Sequence, residues 1–88
     1  MGNINLERRA NQDSRNHGFF DDDIVQCLEK LTSKHFHKTI PYEENGKQFS
    51  YDVYKITCPN TSDDDVYLYI KLRVTSSNWL LIGSFKPA

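Results

Sequence analysis

The 88 residues predict one small α+β domain: an antiparallel sheet of about three main strands, ending in a C-terminal hairpin, packed against one or two helices. Three stretches carry this reading. Val66 to Val74 alternates without a break, with Val66, Leu68, Ile70, Leu72 and Val74 on one strand face and Tyr67, Tyr69, Lys71 and Arg73 on the other. Phe49 to Cys58 reads as a second strand. Ile24, Val25, Leu28 and Leu31 recur at helical spacing behind an acidic start.

The bulk numbers bound the rest. A chain of this length buries about 60–65% of its unfolded surface, enough for one modest core. No apolar run is long enough for a membrane helix, and the polar start lacks the apolar segment of a signal peptide. A cytoplasmic protein with no membrane association is expected. Cys27 and Cys58 stand apart, with no Cys-x-x-Cys, and are expected as two reduced, largely buried thiols ahead of a disulfide. The formal net charge of −1 excludes a broad electrostatic footprint for nucleic acid but is compatible with a small local basic site.

Taken in order, residues 1–17 read as a flexible polar arm with one helical turn around Leu6 to Ala10, and residues 18–88 as a single folded domain. Asp21, Asp22 and Asp23 supply an N-cap and first-turn acids for the helix that follows. Thr32 or Ser33 caps a second, short helical turn, and Phe36 is the expected core anchor. His35 and His37 form a His-x-His pair, but no further Cys or His lies at a supporting spacing, so no metal site is expected. Pro41 pushes Ile40 toward an extended conformation and ends this unit. Asn45-Gly46 is a strong turn. In the strand after it, Tyr51, Val53, Lys55 and Thr57 share one face, and Asp52, Tyr54, Ile56 and Cys58 the other. Pro59 to Asp65 is a polar loop.

The C-terminal hairpin sorts chemistry by face. Thr75 to Asn78 is a turn signal, and the apolar run after it reads as a returning strand. With an even-numbered loop, Leu80, Ile82, Ser84 and Lys86 share a face with Tyr67, Tyr69, Lys71 and Arg73, while Trp79, Leu81, Gly83 and Phe85 join the aliphatic face. Lys86 then opposes Tyr67 or Tyr69, depending on where the loop closes. An odd loop flips the second strand.

Motifs for phosphate loops, serine hydrolases, zinc proteases and paired cysteines are missing. Tyr, Lys, Arg and His on an open sheet face suit one reaction well: metal-free RNA cleavage by attack of the 2′-hydroxyl on the adjacent phosphate. That chemistry needs a base, cations for the phosphorane oxygens and an acid for the 5′-oxygen. Aromatic rings can stack unpaired bases. No cofactor is needed.

From Asp21 onward the sequence resembles the MqsR-type toxins, the motility quorum-sensing regulator family, which are RelE-like. The resemblance rests on several pieces in order: the acidic helix from Asp23-Ile24-Val25 to Leu31-Thr32; Phe36-His37-Lys38-Thr39 at the family's Phe-Tyr-Lys-Ser; Asp52-Val53-Tyr54 at its Asp-Val-Tyr; Tyr69-Ile70-Lys71-Leu72 at its Tyr-Leu-Lys-Ile; and Ser84-Phe85-Lys86 at its Ser-Phe-Lys. It implies an antiparallel sheet backed by helices, sequence-selective mRNA cleavage independent of the ribosome, and inhibition by a cognate antitoxin. It implies catalytic roles for Lys38, Tyr69 and Lys86, with Tyr67 an alternative occupant of the tyrosine role. His37 stands where the family has Tyr and supplies acid–base capacity. Tyr51, Lys71, Arg73, Ser84 and Tyr67 are expected to contact substrate. Tyr51 replaces a Gln of the family's best-known form, and the basic helix and short strand that precede the family's acidic helix are not legible in the polar N-terminal region. The second reading is a catalytically weak or inactive module on the same fold, binding a protein or RNA partner.

Overall fold

The structure, a computed structural model, describes residues 3–75 and 79–88. The chain builds β1 (Ile4–Leu6), α1 (Arg8–Asn16), α2 (Asp21–Glu29), β2 (Phe36–Glu44), β3 (Lys47–Pro59), β4 (Asp65–Val74) and β5 (Leu80–Pro87), with a 3-10 turn at Ser33–His35 between α2 and β2. The strands form one sheet in the order β1-β5-β4-β3-β2. β1 runs parallel to β5, and the other pairs are antiparallel. The α+β class agrees with the sequence. The sheet has five strands, not about three, and is mixed.

The two extra strands have separate explanations. Residues 1–17 are not a flexible arm over their described part. The Leu80 amide donates to the Asn3 carbonyl at 2.7 Å and the Glu7 amide to the Ile82 carbonyl at 2.9 Å, tying this segment to β5. The helix expected as a single turn runs from Arg8 to Asn16 and buries Ala10 and Ser14 completely. A contact made by Ala and Ser leaves no stripe of large apolar residues, the signal by which a packed helix is read. The Ser14 hydroxyl is satisfied by donating to the Asn11 carbonyl at 2.8 Å. This strand and helix lie before the acidic helix, where the resemblance implies a short strand and a basic helix.

β2 is the other addition. Asn45 and Gly46 both have positive φ, 53° and 78°, the requirement of a two-residue type I′ hairpin turn. The turn sets the register: Glu44 opposes Lys47, Tyr42 opposes Phe49 and Lys38 opposes Val53. Pro41 does not end the segment, because β2 is an edge strand, where a missing amide hydrogen is tolerated. A bulge between Phe36 and Lys38 holds His37. Phe36, the expected core anchor, is 46% exposed at the sheet edge and meets only the edge of Tyr54 among the aromatic rings.

α2 is capped differently from the expectation. Phe20 is the N-cap residue, and the Asp23 carboxylate accepts from its amide at 3.0 Å. Asp21 and Asp22 occupy the first turn at the positive end of the helix dipole. Thr32 caps the 3-10 turn as expected, accepting from the Lys34 amide at 3.3 Å.

The core lies between one sheet face and the helices. Ala10, Phe19, Ile24 and Cys27 pack with Ile56, Cys58, Leu68, Ile70, Leu72, Ile82 and Phe85. Cys27 and Cys58 are buried as expected but joined in a disulfide, which corrects the expectation of two thiols. Their sequence separation of 31 carries no proximity signal, whereas packing of α2 on β3 sets their Cα atoms 5.9 Å apart, inside the range a disulfide spans. Closing a loop of that size removes unfolded-state entropy worth about 3–4 kcal/mol. Dithiothreitol is therefore expected to lower Tm by roughly 10 °C or more, and to have no effect on a Cys27→Ala/Cys58→Ala variant.

Candidate active site

The sheet's other face is not covered by a helix. Its rows follow from the register. Lys38, Val53, Lys71 and Ser84 lie side by side across β2, β3, β4 and β5. The next row holds Lys55, Tyr69 and Lys86, and beyond it Thr57 opposes Tyr67. On the other side of the Val53 row, Ile40 opposes Tyr51, Arg73 opposes Leu81, and Tyr42 opposes Phe49.

A second bulge decides what reaches this face. Val74 opposes Leu80 and Leu72 opposes Ile82, but the register shifts so that Lys71 opposes Ser84 and Tyr69 opposes Lys86. The first pairings have the parity of an odd loop; the bulge restores the even parity for Ser84 and Lys86. Ser84 and Lys86 thus sit on the open face as expected, with Phe85 buried beneath them. Leu80 and Ile82, expected on the polar face, belong to the core side, and Ile82 is fully buried. Leu81 moves to the open face, and Trp79 is 42% exposed rather than part of the core. The turn itself, residues 76–78, lies outside the described residues.

The side chains on this face are tied together. Tyr51 is 6% exposed and forms a floor rather than an open stacking ring. Tyr42 and Phe49 pack on it edge-to-face, with centroids at 5.1 and 5.9 Å. The Lys71 ammonium lies 5.0 Å from the centroids of both Tyr42 and Tyr51 and donates to the Tyr42 hydroxyl at 2.9 Å. The Arg73 guanidinium lies 4.6 Å from the Phe49 centroid, and its Nε is buried without a partner among the described residues. The Lys86 ammonium lies 5.6 Å from the Tyr69 ring. These are cation–π distances, and among the described residues none of these three cations is in an ion pair.

Partial burial opposes the charged form of Lys71, but the Tyr42 hydrogen bond and the neighbouring phenols outweigh it and raise its pKa above the ordinary 10.5. Lys71 is therefore a fixed cation at neutral pH. A raised folded-state pKa gives a stability contribution that is complete below the unfolded value and lost as pH rises through the folded one. The urea midpoint of wild type relative to Lys71→Met is expected to be constant from pH 6 to 9 and to converge above pH 10.5.

The face gathers Lys38, Tyr69, Lys86, Lys71, Arg73, Ser84, Tyr51 and Tyr67 from the residues singled out in the sequence. Tyr69, not Tyr67, opposes Lys86; Tyr67 lies one pair further out and is 55% exposed. His37 is exposed in the β2 bulge, outside the rows. Sequence reasoning missed Glu7, Tyr42, Phe49 and Lys55 as members of the site. The Asn45-Gly46 turn carried the signal for Tyr42 and Phe49, and the β3 alternation that for Lys55.

A mixed sheet backed by two short helices, with a cation-rich aromatic face left open, defines a small α+β protein with a candidate binding surface. The chain belongs to the family described as motility quorum-sensing regulator, toxin of MqsA, whose sequence model matches residues 2–87. It is thus a member of a toxin family of toxin–antitoxin systems, whose members bind an antitoxin. Comparison with curated proteins and with solved structures gives no match. No helix among the described residues is long and apolar enough to cross a membrane.

Proposed function

We propose that this protein is the toxin of a type II toxin–antitoxin pair and acts in the cytoplasm as a metal-independent mRNA endoribonuclease. The observation that carries this reading is the adjacency of the Lys38–Val53–Lys71–Ser84 row to the Lys55–Tyr69–Lys86 row on one open face. Lys38, Lys71 and Lys86 supply positive charge where the phosphorane develops its negative charge. Tyr69, flanked by Lys55 and Lys86, is placed to protonate the departing 5′-oxygen. His37 enters only by a reach from the β2 bulge toward the substrate. Arg73 and the Tyr42–Phe49 pair offer stacking planes to unpaired bases.

Purified protein incubated with unstructured RNA in EDTA is expected to give fragments ending in 2′,3′-cyclic phosphate or 3′-phosphate, with 5′-hydroxyl partners. The reading of a non-cutting module is favoured by Tyr51, a buried floor residue where the family's best-known form has a Gln. Intact RNA after incubation, together with growth unaffected by expression, would establish that second reading and remove the first.

A further inference from the structure

We propose that Glu7 is a catalytic residue of this face, the proton acceptor for the RNA 2′-hydroxyl; the assignment rests on the RNA-cleavage reading above. Glu7 precedes α1, and its amide bond to the Ile82 carbonyl at 2.9 Å fixes it beside β5. The Tyr51 hydroxyl donates to Glu7 Oε2 at 3.3 Å. The carboxylate lies over Gly83: a methyl group there would meet Glu7 Oε2 at 2.7 Å, Lys71 Cε at 3.0 Å and Tyr51 Cε2 at 3.0 Å. Glycine at this position lets side chains from three separate segments converge beside the bulge that directs Ser84 and Lys86 to the open face.

The chemistry of the set singles out Glu7. Phenol, ammonium and guanidinium groups ordinarily titrate near or above pH 10, and a carboxylate near pH 4. Lys71, whose Cε shares the space over Gly83 with Glu7, is pushed higher still. Three carboxylates lie on the described part of this face: Glu44 at the β2–β3 hairpin tip, Asp65 at the start of β4, and Glu7, the one hydrogen-bonded to Tyr51 beside Gly83. It takes part in no ion pair, since the only one among the described residues joins Arg15 and Asp21. A carboxylate is acceptor-only and has about four lone-pair directions, of which Tyr51 uses one. The donors RNA offers it are the base N–H groups and the 2′-hydroxyl. Gly83 lies three residues from Lys86 on β5, about 7–10 Å along the strand, a gap that one ribose–phosphate unit fills. In the step, Glu7 takes the 2′-hydroxyl proton as the O2′–P bond forms. The P–O5′ bond breaks, and the 5′-oxygen takes a proton from the Tyr69 phenol. The products are a 2′,3′-cyclic phosphate and a 5′-hydroxyl, with no redox change.

The test compares wild type with Glu7→Gln, which keeps the backbone bond and can still accept from Tyr51. The groups facing Glu7 are the Tyr51 phenol and the Lys71 side chain, whose Cε shares the space over Gly83. Glu7→Gln is expected to lower kcat about 10²–10⁴-fold, with KM within threefold and Tm within a few degrees. The acid-side decline of wild-type kcat, tenfold per pH unit, is expected to vanish in the variant. The defect should persist on an oligonucleotide whose scissile 5′-oxygen is replaced by sulfur, a leaving group that needs no acid. Activity within threefold of wild type, or a defect relieved by the sulfur substrate, overturns the assignment and leaves the cleavage reading standing. A wild-type protein that cuts no RNA overturns both. If Glu7→Gln does not fold, Glu7→Asp retains the carboxylate at shorter reach and is expected to keep the acid limb with a reduced kcat; Glu7→Asp without that limb overturns the assignment.

Discussion

Lys86→Ala is expected to lower the rate of RNA cleavage about 10²–10³-fold, the cost of removing one charge-stabilising group from the transition state. Its melting temperature should stay close to wild type, because Lys86 is exposed and substitutions at such positions usually change stability by less than about 0.5 kcal/mol. Lys86 is the outer member of the row that includes Tyr69 and lies 5.6 Å from its ring. The truncation removes a cation and leaves the phenol in place. Lys86→Arg should recover part of the rate, since charge is restored in a different geometry. Lys47→Ala, at the tip of the β2–β3 hairpin, is the matched control and should leave the rate within twofold. Lys86→Ala cutting as fast as that control removes Lys86 from the active site.

The pairing of Lys86 with a tyrosine was legible in the alternation of β4, but not for the reason the hairpin parity supplied. Parity assumes one uninterrupted ladder. Here the pairing Val74–Leu80 has the opposite parity, and the shift beyond Leu72–Ile82 reverses it. Uninterrupted parity therefore places Leu80 and Ile82 on the wrong face and Ser84, Phe85 and Lys86 on the faces they occupy. Gly83, beside the shift, was the available signal, since glycine inside a strand marks a bulge or a close approach. It marks both: the bulge turns Lys86 outward, and the missing Cβ admits Glu7, Lys71 and Tyr51.

The N-terminal segment was illegible for an energetic reason. Sequence patterns report burial of large apolar side chains. α1 docks through Ala10 and Ser14, and β1 through backbone hydrogen bonds to β5. Neither contact leaves a periodic apolar signature, so a segment that carries a candidate catalytic carboxylate reads as a solvated arm. β2 was hidden by Pro41, which argues against a central strand but not against an edge strand. With β2 unread, Lys38 came from its motif alone; its place beside Val53 and Lys71 followed only once the Asn45-Gly46 turn fixed the register.

The largest stability effect is expected from Phe85→Ala, and its contrast with Phe36→Ala tests which phenylalanine anchors the core. Phe85 is fully buried, opposes Ile70 and meets Phe19 edge-to-face at 5.2 Å. Truncating a buried Phe costs about 3–5 kcal/mol, because β4, β5 and the Phe19 segment cannot all close on the cavity. A domain of 88 residues has only about 4–13 kcal/mol in total. The variant should therefore be mostly unfolded at 37 °C, or show a much lower urea midpoint with an unchanged slope. Phe36→Ala removes a ring that is 46% exposed at an edge strand and should cost less than about 1 kcal/mol. RNA cleavage should fall with the folded fraction in Phe85→Ala and recover at low temperature, because the residue acts by holding Ser84 and Lys86 to the open face. A larger loss from Phe36→Ala than from Phe85→Ala would place the core at the edge of β2, and with it Lys38 on the wrong side of the sheet.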